Sequence, residues 1–279
     1  SAGRSAETAG KRDQADWRTY DDIAGAYARV HAPRMALPAG DLVELAGITD
    51  GAQVLDVGTG TGVVAREAAR IASPGGRVVG VDASIGMLNQ AAPAGGGPLY
   101  AAATAIDLPF RDQTFTHVLA SFVLSHFARY ETALFDMMRV LRPGGRMGVT
   151  AWGPGDDEFS RAWDEVAEQY AEHEILLDAR QRAMPWADLF TDANRLRDVL
   201  HDAGLRDIRI ERRQYQFGES TDEYLESREI GASGRFLRQM LGNEVWQIFR
   251  RRTREVFAER FPPRFSDFRD VNIAVGHKP

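Results

Sequence analysis

Short apolar runs alternate with segments that have apolar residues at helical spacing along the middle of the chain. The runs are rich in Val and Leu and are bounded by Gly, Pro and Asp, as buried strands are. They predict strands at residues 53–57, 77–82, 99–103, 115–121 and 146–151. The segments between them predict helices at 63–72, 84–92 and 130–141, the last ending before Pro143. This alternation indicates an α/β fold with a parallel sheet covered by helices on both faces.

Beyond Trp152 the sequence becomes mostly helical. Helices are predicted up to about residue 189, at 194–203 and over 221–260, and strands at 205–216 and 270–276. We therefore predict one α/β domain whose late helical insertions fold over the carboxyl edge of the sheet. Its predicted parts are a flexible N-terminal arm (1–17), a cofactor-binding core with N-terminal lid helices (18–152), and a helical cap or substrate region interleaved with the last two strands (153–279).

Composition and charge narrow the choice of partners. The net charge of −6 argues against an acidic polymer such as nucleic acid. None of the 279 residues is cysteine, which removes disulfides, thiolate metal sites and thiol nucleophiles and agrees with a reducing cytoplasm. The apolar runs are far shorter than a membrane span, and residues 1–17 contain no hydrophobic signal segment. We expect a cytoplasmic monomer or homodimer without a membrane partner.

The most informative stretch joins the first predicted strand to the helix after it. Asp56 lies near the end of the strand, and Gly58, Gly60 and Gly62 follow at alternate positions. Glycines this dense let the backbone turn sharply and approach a ligand, and the helix directs its free N–H groups at the same place. Asp82 ends the second strand, where an acid can hold the hydroxyls of a nucleotide ribose. The alternative is a purely structural turn.

The acid in this turn discriminates between nucleotide cofactors. A dinucleotide-binding turn prefers the spacing G-x-G-x-x-G and holds a pyrophosphate, which Asp56 would repel. S-adenosylmethionine has an ammonium group, a ribose diol and no phosphate. Because carboxylates at Asp56 and Asp82 suit the ammonium group and the diol, the predicted cofactor is S-adenosylmethionine and not NAD.

Four blocks of sequence resemble one known family. They are Tyr20-Asp21 with Tyr27, and the stretches 55–62, 108–112 and 139–145. With these blocks the chain resembles the class I S-adenosylmethionine-dependent methyltransferases, in the branch like the ubiquinone and menaquinone biosynthesis enzymes. The resemblance covers about residues 20–152 well. It implies a Rossmann-like, seven-stranded, mostly parallel sheet with an antiparallel last strand. It also implies methyl transfer to a small molecule with release of S-adenosylhomocysteine.

The resemblance also implies which residues bind the cofactor. They are Asp56, Gly58, Thr59, Gly60 and Ser121 for the methionine moiety, Asp82 for the ribose, Ala83, Met87, Thr104 and Ala105 for the adenine, and Tyr20 and Tyr27 as a lid. The family has an acid where Thr104 stands, and a hydroxyl accepts the hydrogen bond of the adenine amino group more weakly. The alternatives are that Met87 belongs only to a core face, and that both tyrosines only fasten the N-terminal helix to the sheet.

One histidine is placed to act on the acceptor. His126 follows the fourth predicted strand, so it should lie at the carboxyl edge near the methyl group. An imidazole titrates near neutral pH and suits a general base, which helps where the nucleophile is a hydroxyl or an acidic C–H. The alternative is a structural role. Ser125 is predicted to orient substrate and His31 to lie near the pocket mouth. No metal is predicted, because no histidine pair has metal-site spacing.

The remaining histidines and a run of arginines are predicted to lie in the core or on the surface. His117 is expected in the core, His173 and His201 on the surface, and Arg250, Arg251, Arg252 and Arg254 on a solvated helix face paired with Glu255 and Glu259. Aromatic and methionine residues of the late helices predict a small, largely apolar or aromatic acceptor. Three rival functions remain: a reaction without methyl transfer such as cyclisation, a nicotinamide oxidoreductase, and a regulatory protein that binds the cofactor without turnover.

Overall fold

The computed structural model describes residues 18–94, 97–155 and 157–279, so the predicted arm at residues 1–17 lies outside the described residues. The strands are β1 (Gln53–Val57), β2 (Arg77–Asp82), β3 (Leu99–Ala102), β4 (Phe115–Ser121), β5 (Leu141–Trp152), β6 (Arg206–Ser220) and β7 (Arg264–His277). The helices are α1 (Arg18–Val30), α2 (Ala32–Ala46), α3 (Val63–Ala72), α4 (Ile85–Ala91), α5 (Tyr130–Val140), α6 (Glu158–Ala167), α7 (His173–Ala183), α8 (Ala187–Thr191), α9 (Ala193–Asp202), α10 (Thr221–Ile230) and α11 (Ala232–Arg260).

The strands form one seven-stranded sheet in the order β3-β2-β1-β4-β5-β7-β6. The first five strands pair in parallel, and β7 is antiparallel to both of its neighbours. Only β7 therefore runs against the others, which confirms the predicted sheet with its antiparallel last strand. The register places Asp56 of β1 opposite Gly80 of β2 and Leu119 of β4, so the carboxyl ends of these three strands meet at one edge.

Helices cover both faces of the sheet, as the apolar runs predict. Leu55 and Val57 of β1 pack with α5, α8 and α9 on one face, whereas Val54 packs with α2 and α3 on the other. Adjacent strand residues point to opposite faces, and both are fully buried here because both faces are covered. A parallel sheet covered in this way is the scaffold that places loops at the carboxyl edge.

The late helices form a separate apolar layer. Helices α6, α7, α10 and α11 enclose a third core cluster around the fully buried rings of Trp163, Tyr224, Phe249 and Phe257. Helix α1 contacts α4 of the core as well as α10 of this layer. These helices form the predicted late cap, and α1 lies between it and the sheet. No helix among the described residues is both long and apolar enough to span a bilayer.

The last two strands are longer than the sequence predicts. The pattern predicts strands at 205–216 and 270–276, whereas β6 continues to Ser220 and β7 begins at Arg264, where the two residues pair. Beyond the residues of β7 that pair with β5, the β6–β7 hairpin exposes one face and carries charged residues, so its sequence lacks the continuous apolar run of a buried strand. β5 also begins earlier than predicted, at Leu141, with a bulge before Arg146.

Candidate active site

The predicted site residues come together at the carboxyl edge of the sheet. A cavity of about 380 Å³ lies above the ends of β1, β2 and β4. Its wall includes every residue predicted for the cofactor together with the predicted base: Tyr20, Tyr27, Asp56, Gly58, Thr59, Gly60, Asp82, Ala83, Met87, Thr104, Ala105, Ser121 and His126. The acids and glycines that the sequence places at the strand ends therefore line one cavity.

The glycine turn needs glycine for two different reasons. Gly58, Gly60 and Gly62 all have positive φ, at 69°, 55° and 80°, which side chains rarely adopt. A Cβ on Gly58 would also lie 2.5 Å from Cγ1 of Val123, so the turn packs closely on the segment after β4. A Cβ on Gly60 would meet no atom within 4 Å. Gly60 thus leaves open space at the floor of the cavity, where a ligand can approach the backbone.

Asp56 presents a buried carboxylate oxygen that has no hydrogen-bond partner among the described residues. The residue is 1% exposed, and its Oδ2 accepts a 2.6 Å hydrogen bond from the hydroxyl of Thr59. Its Oδ1 is buried and accepts no hydrogen bond within the described part of the chain. Burial raises the pKa of Asp56 to about 7, against the lowering effect of the Thr59 hydroxyl. A cationic ligand group at Oδ1 would satisfy this oxygen and favour its ionised form.

Asp82 holds the turn after its own strand to the turn after β1. Its Oδ2 accepts from the backbone N–H of Gly60 at 2.8 Å, and its Oδ1 accepts from that of Ser84 at 2.9 Å. Burial raises the pKa of Asp82 above its ordinary value, and these two backbone bonds oppose the shift. Each carboxylate oxygen can still accept a second hydrogen bond, so a diol can bind here without displacing either N–H.

The predicted adenine wall is partly core and partly open. Met87 is 3% exposed, lines the cavity and packs beside the sheet, so it is both a core residue and a wall residue. Thr104 is exposed and pairs with Asp107 through an isolated bridge. Ile106, which the sequence reasoning missed, also lines this end and is 42% exposed. Once the structure is known, Ile106 is identified as a wall residue because it is a large apolar side chain exposed at the cavity.

Helix α1 covers the cavity with its two tyrosines. Tyr20 and Tyr27 are seven residues apart, so they lie on one face of the helix, and their ring centroids are 6.2 Å apart. The ring of Tyr20 lies edge-on to His126 at 6.0 Å. His31 does not line the cavity, contrary to its predicted place at the pocket mouth. It packs on Tyr27, with centroids 5.0 Å apart, and burial lowers the pKa of His31 to about 4.

His126 lies in a 3-10 turn, Leu124–His126, directly after β4. The preceding Ser121 also reaches the cavity, and its hydroxyl shares a 2.8 Å hydrogen bond with that of Thr150. Ser125 is not part of the cavity wall. Its carbonyl accepts a 3.4 Å hydrogen bond from the backbone N–H of Trp186. Ser125 therefore connects this turn to the segment before α8, whereas His126 lines the cavity.

Most of one cavity wall, around the segment after β4, consists of residues that no sequence motif marks. This wall consists of Met35, Phe122, Val123, Phe127, Ala128, Arg129 and Ala183. Phe122 has a positive φ of 57°, unusual for a large side chain, and its ring stacks on Trp152 at 4.3 Å. Such a backbone outlier often marks a functional site, but no sequence pattern predicts a positive φ at a residue other than glycine.

Two of the four motif blocks support the site from outside. The guanidinium of Arg139 donates to the carbonyl oxygens of Leu108 and Phe110 and pairs with Asp112 and Asp136. Asp136 in turn accepts from the backbone N–H of Leu108 at 2.5 Å. The block at 108–112 and the block at 139–145 thus hold each other. None of these residues lines the cavity, so their role is structural.

The other polar residues lie away from the cavity. His173 and His201 are exposed, as predicted, and His117 is half-buried with Nδ1 2.9 Å from the hydroxyl of Thr116. Of the arginine run, Arg250 and Arg254 pair mainly with acids of α10, and Arg252 with Glu255. Within the part of the chain that the structure describes, no group of three His, Asp or Glu side chains is arranged to hold a metal ion.

Comparison with known proteins agrees with this geometry. Residues 55–149 match the methyltransferase domain family, and residues 12–94 match the protein-L-isoaspartate(D-aspartate) O-methyltransferase family. The ubiquinone/menaquinone biosynthesis C-methyltransferase UbiE of Stutzerimonas stutzeri is 36% identical over 129 residues, which are 44% of this chain and 50% of that protein. Residues 55–149 therefore carry a methyltransferase domain. The chain spans about half the length of the curated relatives it matches.

Solved structures show that the methyltransferase fold extends over most of the chain. The YcgJ protein of Bacillus subtilis aligns with a TM-score of 0.54 and 18% identity, covering 86% of this chain and 97% of that one. The phosphoethanolamine N-methyltransferase 2 of Haemonchus contortus, in complex with S-adenosylhomocysteine and phosphomonomethylethanolamine, aligns with a TM-score of 0.57 and 18% identity. The alignment covers 93% of this chain and 57% of that one. Both likenesses confirm the Rossmann-like fold.

The residues of this methyltransferase domain fit the family's cofactor, S-adenosylmethionine. The orphaned buried oxygen of Asp56 matches a cationic group, and the spare acceptor capacity of Asp82 matches a diol. The open space at Gly60 lets a ligand approach the backbone between them. The predicted cofactor is therefore confirmed at the level of the family. The role of each individual residue is taken up below.

Proposed function

We propose that this chain transfers a methyl group from S-adenosylmethionine to a small, largely apolar or aromatic acceptor and releases S-adenosylhomocysteine. The observation that carries the proposal is the pair of carboxylates, buried Asp56 and part-buried Asp82, at neighbouring strand ends of one cavity. One has an oxygen without a partner and the other has spare acceptor capacity. A cationic nucleoside has complementary groups for both, whereas the pyrophosphate of a nicotinamide cofactor would meet an acid.

The cofactor would be held by groups that surround it on several sides. We assign the methionine moiety to Asp56, the ribose to Asp82 and the lid to Tyr20 and Tyr27. The remaining proposed contacts are Gly58, Thr59, Gly60 and Ser121 beside the methionine moiety and Ala83, Met87, Thr104 and Ala105 beside the adenine. Their common cavity supports this assignment. The aromatic lid of α1 and the apolar wall after β4 also exclude water from the reaction.

S-adenosylmethionine supplies an activated, electrophilic methyl group when it is bound. The protein has to align the acceptor with that group, and proximity and orientation supply most of the acceleration. We propose that a ring nitrogen of His126 takes the proton of a hydroxyl or acidic C–H acceptor. The position of His126 in the cavity wall, edge-on to Tyr20, supports this role.

The acceptor side of the cavity supports an apolar or aromatic substrate. Phe122, Phe127, Met35 and Ala183 contribute apolar surface beside His126. The relative from Stutzerimonas stutzeri is named for C-methylation in quinone biosynthesis, which makes hydroquinones and phenols the first acceptors to try. We further propose a cytoplasmic monomer or homodimer without a nucleic acid partner, with a cofactor-binding core at 18–152 and a substrate region at 153–279. The net charge of −6 supports the absence of a nucleic acid partner.

The proposal is tested by binding first and turnover second. Calorimetry should show S-adenosylhomocysteine binding to the wild type, and a fluorescence titration should show no comparable binding of NADH. The protein is then incubated with S-adenosylmethionine carrying a deuterated methyl group and a panel of hydroquinones, phenols, aromatic acids and amines. We expect one product whose mass rises by one labelled methyl group, in step with S-adenosylhomocysteine. Absence of S-adenosylhomocysteine binding refutes the proposal, and turnover without a labelled methyl group indicates another reaction.

A further inference from the structure

One residue of α1 faces away from the cavity yet is connected to it. Oδ1 of Asp21 accepts two hydrogen bonds from the start of α4, from the hydroxyl of Ser84 at 2.6 Å and from the backbone N–H of Gly86 at 2.7 Å. Tyr20, the preceding residue, lines the cavity. Asp21 thus ties the helix that covers the cavity to the loop and helix that follow β2.

Ser84 continues the connection to the proposed ribose site. Its hydroxyl donates to Asp21 and accepts from the backbone N–H of Met87 at 3.1 Å, so its single donor and one of its two acceptor lone pairs are used. Its own backbone N–H donates to Oδ1 of Asp82 at 2.9 Å. Ser84 is 1% exposed and therefore has little freedom to reorient. The chain of contacts runs from Asp21 through Ser84 to Asp82 and Met87, which both line the cavity.

The backbones of α1 and α4 approach each other closely at this contact. A Cβ on Gly86 would lie 2.7 Å from Cα of Asp21 and 3.0 Å from its carbonyl oxygen. Backbone atoms cannot yield as a flexible side chain can, so any side chain at position 86 would push α1 outward. Gly86 provides a second way to disturb the contact, one that leaves the Asp21 carboxylate in place.

Electrostatics favour the same arrangement. The carboxylate of Asp21 lies at the N-terminal end of α4, where the exposed N–H groups carry partial positive charge. The hydrogen bond from Ser84 and the one from Gly86 lower the pKa of Asp21, so it is ionised at neutral pH. Ser84 lies between the two carboxylates and donates to both, which offsets the repulsion that Asp21 exerts on Asp82.

We propose that Asp21 is a positioning residue that fixes α1 over the bound nucleoside and couples closure of this helix to the end of β2, where Asp82 lies. This inference rests on the proposed function, because it presumes that a nucleoside cofactor occupies the cavity. A simple helix-capping role would make Asp21 contribute to stability alone. A positioning role makes it contribute to retention of the ligand beneath Tyr20 and Tyr27.

The experiment compares D21A with D21N and D22A in S-adenosylhomocysteine binding. Asp22 is an exposed acid on the same helix, so D22A is the matched control for charge and position. The carbonyl oxygen of D21N can still accept both hydrogen bonds. D21A removes two charge-assisted hydrogen bonds to the Asp21 carboxylate. Their loss should weaken S-adenosylhomocysteine affinity about tenfold, mainly through faster dissociation. D22A should match the wild type, and D21N should recover most of the loss.

Two further readouts separate positioning from stability. Hydrogen exchange at residues 20–27 should slow on S-adenosylhomocysteine binding in the wild type and in D22A, and slow much less in D21A. G86A keeps the carboxylate but separates the backbones, so it should reproduce the D21A defect even if D21A folds poorly. If D21A and G86A bind as tightly as D22A, with equal exchange protection, the inference is wrong even where melting temperatures fall. If the wild type itself does not bind, the proposed function fails as well.

Discussion

Oδ2 of Asp82 accepts a 2.8 Å hydrogen bond from the backbone N–H of Gly60, which joins the end of β2 to the glycine turn after β1. The proposed ribose carboxylate is therefore also the residue that fastens the turn beneath the proposed methionine moiety. The Asp82 side chain therefore serves both ligand binding and the local order of the glycine turn. Removing that side chain should consequently affect ligand affinity more than global stability.

Replacing Asp82 with alanine should weaken S-adenosylhomocysteine binding about 100-fold, because two charge-assisted hydrogen bonds to the ligand and the anchor of the turn are lost together. The control is Asp50→Ala. Oδ1 of Asp50 accepts from the backbone N–H of Gly75 at 2.9 Å, at the opposite edge of the sheet. Calorimetry should show normal affinity for that variant. Equal losses in the two variants would contradict the assigned role of Asp82.

Binding should depend on pH through Asp56, since burial raises the pKa of this carboxyl to about 7 in the free protein. If only the ionised form holds the ligand ammonium group, affinity should be about tenfold weaker at pH 6 than at pH 8. In the absence of ligand, the effect of rising pH on folding stability through Asp56 is opposite in sign to its effect on ligand affinity. A raised carboxyl pKa means that the folded state binds more protons, so the contribution of Asp56 to stability is present at low pH and is lost as pH rises to about 7.

The measurement for Asp56 is calorimetry in buffers of different ionisation enthalpy. Proton release should accompany binding at pH 6 and diminish by pH 8. The ligand-induced rise in melting temperature should also be larger at pH 8. Asp56→Asn should bind weakly at both values and lose most of the dependence. A wild-type affinity that is flat between pH 6 and pH 8 would count against the ion pair.

Gly60→Ala should block the cofactor without a large effect on folding. Gly60 and Gly51 both have positive φ, at 55° and 83°, and a Cβ on either meets no atom within 4 Å. Alanine at either position should therefore cost about 1 kcal/mol of stability from backbone strain alone. Only Gly60 lines the cavity. Denaturation should show similar losses of unfolding free energy for the two variants, while S-adenosylhomocysteine affinity should fall only for Gly60→Ala. Equal affinities in the two variants would contradict this prediction.

The sequence predicts the core well because its signals are local. The strands at 53–57, 77–82 and 115–121 are found at the predicted residues, since each is a buried run ending at a polar or glycine position. Topology then brings Asp56, Asp82 and His126 to one edge, because parallel strands share their carboxyl ends. This geometric rule explains why residues spread over seventy positions, from Asp56 to His126, can be assigned to one cavity from sequence.

What the sequence cannot predict depends on contacts between distant elements. Met35 of α2 and Ala183 of α7 line the cavity through the packing of elements distant in sequence, and no motif marks either residue. His31 does not line the cavity, and its ring packs on Tyr27, a contact that the local sequence does not predict. The bond from Ser84 to Asp21 spans 63 positions and follows from the docking of α1, which propensity does not specify.

Arg139→Ala should lower the free energy of unfolding by about 2–3 kcal/mol, because two carbonyl oxygens and the Asp136 carboxylate lose their donor. Arg142 is the control. It is exposed and donates to the carbonyl of Gln113 at 3.1 Å, so Arg142→Ala should change stability by no more than about 0.5 kcal/mol. Urea denaturation measures both. Folded Arg139→Ala should still bind S-adenosylhomocysteine normally, and weakened binding at full folding would place this motif closer to the ligand than its contacts indicate.

His126→Ala should separate chemistry from binding. If a ring nitrogen of His126 removes the acceptor proton, the turnover rate should fall about 100-fold on a phenol or hydroquinone acceptor, at the low end of general-base effects. Affinity for S-adenosylhomocysteine should change little, because Asp56 and Asp82 remain. His173→Ala, on the exposed start of α7, is the control and should match the wild type. An unchanged rate, or a loss explained entirely by weaker cofactor binding, would assign His126 the structural role and leave alignment alone to drive the reaction.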